Sequence, residues 1–549
     1  MYQLANLPPE LLIKVFSNLF FRDILHCQAC CQQFRTLVEQ SGQLQYIIQA
    51  DTSGVDEGSL SGSSFGDRLR VLQRREQGWH DFKYRATVSV PVNFFSSGIY
   101  DLTGGAFLLG TRPSFGSPRT TSGFSYLPLP SLDADGRCPG PEAINWKHVD
   151  LGEQIIDVGL AVREHDLIAV LTSRLDTDGE VPNLVLELRL LSFSTGKPHP
   201  QAENHTLFVD NRTPHFGRSS ILIEIVGDYL ALLLTFPWVR MGEGDAFYLV
   251  NWKKGILNRV AMPQDPPASF TFLTPDILVF SQPETCTLEI TKIIAPSPEA
   301  LPTLTSLVIL KLPPLTNHAS IVHLVCRSEP NPTAASVSNP TDAIILFNML
   351  VQDVGPVHVG HMHMFSFITH RSTLLSHVPL SERSTPFVSS SPPLSVPGGD
   401  AIDENEPVLS VFNWADWGPR ATRWFDCDRI STRWITTTAG QRYVCAADPD
   451  QGEAPIVLRD FNPYNVWRQR QREERGEDTG RMRIVESSSV ITSSGLFKRD
   501  LESALPYTEV ESERPYMYDG VLIDEERMLG LRIQPDGIGV GQFDVLIFG

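Results

Sequence analysis

The apolar residues of this chain change their period near residue 85. Before that point they recur at helical spacing. Leu11, Leu12, Val15, Phe16 and Leu19 fall on one face of a helix. Pro8 and Pro9 stand where a helix can begin, because a first-turn N–H has no intrahelical acceptor to lose. Asn6 is the expected N-cap, and Glu10 suits the positive helix end. Asp23 is the expected cap of a second helix through Ile24 and Leu25, and a third carries Phe34, Leu37 and Val38 on one side. Three short helices over residues 1–50 make a small orthogonal bundle. They carry more apolar surface than about 45 residues bury alone, so a spare face is left for a partner. Residues 51–66, rich in Gly, Ser and acids, read as a flexible spacer. The spacing then predicts a helix from Asp67 to Phe82, with Leu69, Leu72 and Trp79 as its buried stripe and Arg68, Arg70, Arg74 and Arg75 on its surface. Residues 51–84 are thus a linker and a connecting helix.

From residue 85 to 549 the period is two, in short runs divided by turn residues. Some runs recur as a unit. Val162 to Leu171 is followed by a strand ending Phe193-Ser-Thr-Gly196, and Ile225 to Leu234 by one ending Trp252-Lys-Lys-Gly255. Each unit places an acidic residue (Asp166, Asp228) at a turn before an apolar strand. Weaker copies start at Phe272, with Asp276, and at Leu522, running into Phe543–Phe548. Four-stranded blade repeats run at about 40–45 residues before insertions. The expected fold class is therefore α+β and multidomain: the helical bundle, then a mainly-β domain over 85–549, a β-propeller of about seven degenerate blades. Such a ring leaves only short, protected edges. Either Thr87–Val92 or Phe543–Phe548 closes it by pairing with the other end. Ser328–Asp342, Leu380–Pro407 and Trp467–Arg483 break the pattern and read as surface loops.

Charge narrows the function classes. The formal net charge is −19, against the basic footprint that nucleic acids and anionic membranes require, so neither is expected as a partner. No apolar run is long enough for a membrane span, and no secretory signal is legible at the start. The eight cysteines then read as reduced thiols, and Asn204-His-Thr206 and Asn211-Arg-Thr213 as chance glycosylation matches.

The first 50 residues also carry an ordered motif: Leu7-Pro8-x-Glu10-Leu11-Leu12, Val15-Phe16-Ser17-x-Leu19, Asp23-Ile24-Leu25, Cys31-x-x-Phe34 and Leu44-Gln45-Tyr46. It resembles the F-box. Phe20-Phe21-Arg22 departs from it, where many members have a proline-containing turn. The resemblance implies docking onto a Skp-type adaptor and, through it, a cullin scaffold and a RING subunit. The implied contact residues are Leu7, Pro8, Leu11, Val15, Phe16, Leu19, Ile24 and Leu25. Each such side chain contributes roughly 1.5–3 kcal/mol when fully buried. Trp414-x-x-Trp417-Gly418-Pro419, Arg423-Trp424, Gly440 to Tyr443, Asp460-Phe-Asn-Pro463 and Asp519 to Asp524 are similar to the tails of fungal F-box proteins with a propeller-like C-terminal region.

No catalytic constellation stands out. There is no G-x-S-x-G elbow and no P-loop, and Gly537-Ile-Gly539-Val-Gly541 has the wrong spacing for a dinucleotide fingerprint. Cys27, Cys30 and Cys31, beside His26, lack the second ligand pair of a structural zinc site and read as small buried apolar groups. His361 and His363 share a strand face with Phe365 and Phe367, and His358 and His370 lie nearby, but no third ligand is adjacent. No metal and no cofactor is expected. Trp414, Trp417, Trp424, Trp434 and Tyr443 interleave with Arg420, Arg423, Arg429, Arg433 and Arg442. This run is either a phosphate-reading substrate surface, for which Arg420, Arg423, Arg429 and Arg433 are the candidates, or core aromatics with arginines paired to nearby acids.

The resemblance and the pattern together imply a substrate-receptor subunit of an SCF-type ubiquitin ligase. It binds a protein substrate through the β domain, is not an enzyme, and works in the cytoplasm, the nucleus or both. A scaffold using the same adaptor contact without degradation is one alternative. A propeller enzyme is another, and it requires titratable groups clustered in the central channel.

Overall fold

The computed structural model describes all residues except 1–3, 56–63, 115–119, 133–135, 139, 141–143, 178–181, 213–219, 237–243, 262–266, 296, 298, 333–342, 355–359, 384–408, 428–433, 447–451, 479 and 493–494. A helical region comes first, and a large, mainly-β region follows it.

The helical region holds one helix more than the pattern predicts: α1 (Pro9–Phe16), α2 (Phe21–Cys30), α3 (Gln32–Gln40) and α4 (Gly42–Ser53). Ser41 makes the difference. Its extended backbone ends α3, and its hydroxyl accepts from the Leu44 N–H at 3.3 Å to start α4. Pro8, not Asn6, holds the N-cap position of α1, and Asn6 closes a 3-10 turn from Leu4. Asp23 lies inside the first turn of α2, where it meets the positive helix end instead of capping it. Phe16, Ile24, Val38, Leu44 and Ile47 form the core, and Phe34 meets Phe16 edge-to-face at 5.2 Å.

Helix α5 (Phe65–Asp81) joins the two regions. Leu72 packs on Tyr46 and Ala50 of α4, and Trp79 stacks on Phe548 with ring centroids 3.7 Å apart. The Trp79 indole N–H donates to the Glu525 carbonyl at 3.3 Å. Arg75, expected on the surface, is buried on this same stripe, 3.8 Å from Glu526. Glu76 pairs with Arg442, which lies 3.5 Å from Asp460. A second bridge is built by the Asp460-Phe-Asn-Pro463 run. Asn462 caps the Pro463–Glu474 helix by accepting from Tyr464 N–H, and its side-chain amide donates to the Thr52 carbonyl at 2.8 Å. Tyr464 on that helix meets the Phe21 ring edge-to-face at 5.3 Å and the Arg22 guanidinium. Much of Trp467–Arg483, read from sequence as a loop, is therefore helix. The expected spacer connects two helices packed against each other, and its residues 56–63 lie outside the described residues.

Apart from Arg483–Val485, the separate pair Ser489–Ile491 and Leu501–Ser503, and Ser410–Phe412, which adds parallel to Thr303–Lys311, the strands form four-stranded antiparallel units. In chain order these run from Ser96–Thr103 to Lys147–Ala161, from Lys147–Ala161 to Thr206–Arg212, from Ser220–Val226 to Ile256–Val260, from Ser269–Thr274 to Thr303–Lys311, from Ala319–Arg327 to Thr422–Asp426, from Thr438–Ala439 to Tyr507–Glu511, and from Gly520–Ile523 to Val540–Ile547, the last completed by Ala86–Pro91. The first two share the 15-residue strand Lys147–Ala161, which shifts register between Ile155 and Asp157, so they appear as one seven-stranded sheet. Each unit neighbours the next, and the last meets the first where Val540–Ile547 touches Ser96–Thr103. The two strands offered by the sequence as alternative closures pair with each other, Thr87 opposite Leu546.

One backbone hydrogen bond recurs in all seven units. The N–H at the end of the third strand donates to the carbonyl just before the second strand. The pairs are Leu129 to Gly105 (2.9 Å), Phe193 to Asp166 (2.7 Å), Trp252 to Asp228 (3.2 Å), Ile293 to Asp276 (2.8 Å), Arg371 to Ala343 (2.9 Å), Phe461 to Gln441 (2.9 Å) and Phe548 to Glu526 (2.9 Å). The repeat legible in sequence at Asp166, Asp228, Asp276 and the C-terminus is this turn. The other three copies escape notice because Gly105, Ala343 and Gln441 replace the acid.

Replacing Trp79 with Ala removes the stack on Phe548. Phe/Trp→Ala in a packed site costs about 3–5 kcal/mol. Trp79→Ala is expected to lower the melting temperature and to let limited proteolysis separate the helical region from the β region. A cleavage pattern identical to the parent chain's would refute the docking role.

Candidate functional site

Two features stand apart from packing: an apolar surface on the helical region and a passage through the β region. On α1, Leu12 and Phe16 point inward while Leu11 and Val15, four residues apart, stay exposed at 49% and 41%. Pro8 is exposed beside them, Leu25 is exposed on α2, and Leu7 and Leu19 are half-buried. Phe16 and Ile24, expected at the contact, are instead core residues, at 1% and 0% exposure. They hold the helices in place and do not form the outer face. The helical period accounts for this split: Leu11 and Val15 lie four residues apart on the outer face, and Leu12 and Phe16 four apart on the inner one. Sequence reasoning missed Leu4 and Phe20, both exposed at 49%.

The passage follows the first strands of the units. A cavity of about 1140 Å³ is lined at their leading ends by residues such as Ile99, Asp157, Ile221 and His323. A smaller one of about 100 Å³ lies at their trailing ends, against Gly104, Glu164, Glu329 and Glu525. The two share Asp101, Ile223 and Arg327. Because Trp79 bonds to Glu525, the helical region sits on the side of the small cavity, and the wide cavity lies toward the opposite face. In Ala319–Arg327 the strand alternation aims His323, Val325 and Arg327 inward.

The inner charges are mostly acidic. Arg327 lies 3.7 Å from Glu224, whose carboxylate accepts the Phe272 N–H at 3.1 Å. Burial pushes Asp157 and Glu224 up to about 7 and, with Asp101 nearby, Glu329 up to about 8. Burial also raises Asp101. Burial works to lower Arg327, but the surrounding carboxylates of Glu224, Asp101 and Glu329 outweigh it and hold its guanidinium above the ordinary value. Tyr100 and Trp434 make an aromatic wall, with centroids 5.0 Å apart. The Trp434 indole N–H donates to the Asp519 carbonyl at 2.8 Å. Gly520 permits this: a Cβ there would sit 1.9 Å from the indole.

The tryptophan–arginine run resolves toward packing. Trp417, Trp424, Trp434 and Tyr443 are buried. Arg423 is only 1% exposed and donates to the Leu505 carbonyl at 2.8 Å and the Ser487 carbonyl at 3.0 Å, so it is no part of an outer phosphate-reading surface. Arg420 is exposed, and Arg429 and Arg433 lie outside the described residues. Cys27 is half-buried, but Cys30 and Cys31 are exposed, against the expectation of buried thiols. His361 is exposed and His363 half-buried on their strand, while His358 lies outside the described residues. Among the described residues no group of three or more His, Cys, Asp or Glu could hold a metal ion, and no helix is long and apolar enough to cross a membrane.

Residues 4–44 match the F-box-like family model. No curated protein matches the chain. Among solved structures, Hsv2 of Kluyveromyces lactis is similar over 39% of this chain and 61% of its own length, at 14% identity and a TM-score of 0.23. This chain thus spans about three-fifths of that protein. A Kluyveromyces marxianus Hsv2 is similar over 67% of this chain and 93% of its own, at 8% identity and a TM-score of 0.25. The WD40 repeats of RRP9 are similar over 52% and 90%, at 6% identity and a TM-score of 0.23. Likenesses this slight carry no argument, and the architecture rests on the strand pairing above.

The buried acids give stability a pH dependence. Their folded pKa values lie above the ordinary carboxylate values of about 4 that the unfolded chain shows. Their contribution is therefore fully present below about pH 4 and is lost as pH rises through 7 to 8. The melting temperature is expected to fall between pH 6 and about 9, less steeply in Glu329→Gln. Parallel curves for the two proteins would refute this assignment.

Proposed function

We propose that this chain is the substrate receptor of an SCF-type ubiquitin ligase. The observation that carries the reading is the exposed apolar row Pro8, Leu11 and Val15 on α1, inside the segment that matches the F-box-like model. F-box domains generally bind Skp-type adaptors, and this row is the surface offered to one. Cullin and RING subunits follow through the adaptor. The chain itself performs no bond chemistry. It holds a protein substrate near the transfer site and so raises its effective concentration. Cytoplasm and nucleus are where such a complex works.

We further propose that the seven four-stranded units form a closed seven-bladed ring with the passage as its axis. The cyclic order of neighbours, the pairing of Ala86–Pro91 with Val540–Ile547 and the sevenfold turn bond support it. The wide cavity is then the substrate-side mouth, because the helical region occupies the other face. The buried carboxylates by themselves name no reaction, and among the described residues no group of three or more His, Cys, Asp or Glu could hold a metal ion.

Leu11→Asp with Val15→Asp places charge on exposed positions and leaves Phe16 and Ile24 in the core. Pull-down of the Skp-type adaptor is expected to fall at least about tenfold, corresponding to about 1.4 kcal/mol, with an unchanged melting temperature. Full adaptor capture by the folded double variant would overturn the proposal.

A further inference from the structure

The wide cavity has a composition that selects a class of ligand. Its volume of about 1140 Å³ exceeds what one side chain fills and lies near the upper end of small-ligand sites, about 300–1,000 Å³. Much of its wall is apolar, with Ile99, Ile221, Leu222 and Met364 around it and the Tyr100–Trp434 pair on one side. Its charged groups are Asp101, Asp157 and Arg327. Arg327 is already engaged with Glu224. Asp157 accepts only the N–H of its own neighbour Val158, at 2.9 Å, and has no ion pair with an arginine or lysine among the described residues. Arg327 acts on this buried carboxylate only from a distance, and a bound cation in direct contact lowers the cost of burying it further. The aromatic pair that lines the same cavity favours the same occupant. The net charge of −19 draws cations toward the molecule and repels phosphate-bearing ones.

We propose that this cavity receives a basic side chain, lysine or arginine, carried on an apolar peptide segment of the substrate. The inference rests on the receptor reading and names the substrate chemistry of that same site. The ammonium or guanidinium pairs with Asp157, its methylene stem lies along Tyr100 and Trp434, and the flanking apolar residues fill the outer wall. It is distinct from the phosphate-reading surface suggested by the arginine run, of which Arg423 is buried.

The test uses the full chain and fluorescein-labelled nine-residue peptides, leucine-rich, with Lys, norleucine or Glu at the centre, read by anisotropy. The Lys peptide is expected to bind at least about tenfold tighter than the Glu peptide, with norleucine between them. Asp157→Asn is expected to remove the Lys preference while the chain stays folded. Ile221→Arg, which adds a cation to the wall, is a second route to the same loss should Asp157→Asn fail to fold. Equal binding of all three peptides, a preference for Glu, or an unaltered Lys preference in either folded variant overturns the proposal. Free butylammonium that competes at the same concentration as the Lys peptide also overturns it, because the apolar flank then contributes nothing. The adaptor pull-down reads α1 alone, so the receptor reading and the ligand class fail separately.

Discussion

The molecule depends on the place where the first and last strands of its β region meet. Strand Ala86–Pro91 completes the sheet that ends in Val540–Ile547, and Phe548, one residue later, stacks on Trp79. The same residue makes the last of the seven turn bonds, to Glu526. The first strand after the helical region and the last strand of the chain are thus locked in one sheet, and the helical region is seated by the residue that follows. An unpaired edge at either end would expose a row of N–H and C=O groups. Pairing them satisfies the two facing rows and leaves Ala86–Pro91 as the outer edge of that sheet.

That seat also fixes direction. Trp79, Arg75 and Glu76 reach the turns beside the small cavity, and Asn462 ties the Pro463–Glu474 helix to Thr52 of α4. Two contacts far apart in sequence hold the helical region, so it does not swing on a single hinge. The wide cavity is left on the other face. The acids within sit where the strands crowd their side chains toward one axis, and Arg327 offsets only part of their charge.

The helical segment was legible almost residue by residue, because a period of 3.6 and a proline start are local properties. The split between Leu11 and Val15 outside and Phe16 and Ile24 inside was also implicit in that period, but it was hidden when all were counted as contact residues. Arg75 shows the limit. It reads as a surface arginine, and only the packing of α5 on the β region, which brings Glu526 from some 450 positions away, buries it beside its neighbour Glu76. Arg423 was misread for the same reason: its acceptors are backbone carbonyls at Ser487 and Leu505, which no composition rule reveals.

The sequence by itself determined the change of period near residue 85, the helical F-box-like segment, and a repeat of acidic turn and apolar strand in four of seven units. These follow from local spacing and turn chemistry. The tertiary structure alone decided which strands pair at the two ends of the β region, that Gly105, Ala343 and Gln441 serve the same turn as Asp166, and that Asp101, Asp157, Glu224 and Glu329 line two adjoining cavities. The physical reason is that a backbone hydrogen bond accepts from any residue type, and a cavity collects side chains by strand alternation across hundreds of residues. Neither leaves a mark on the identity of the neighbouring letters.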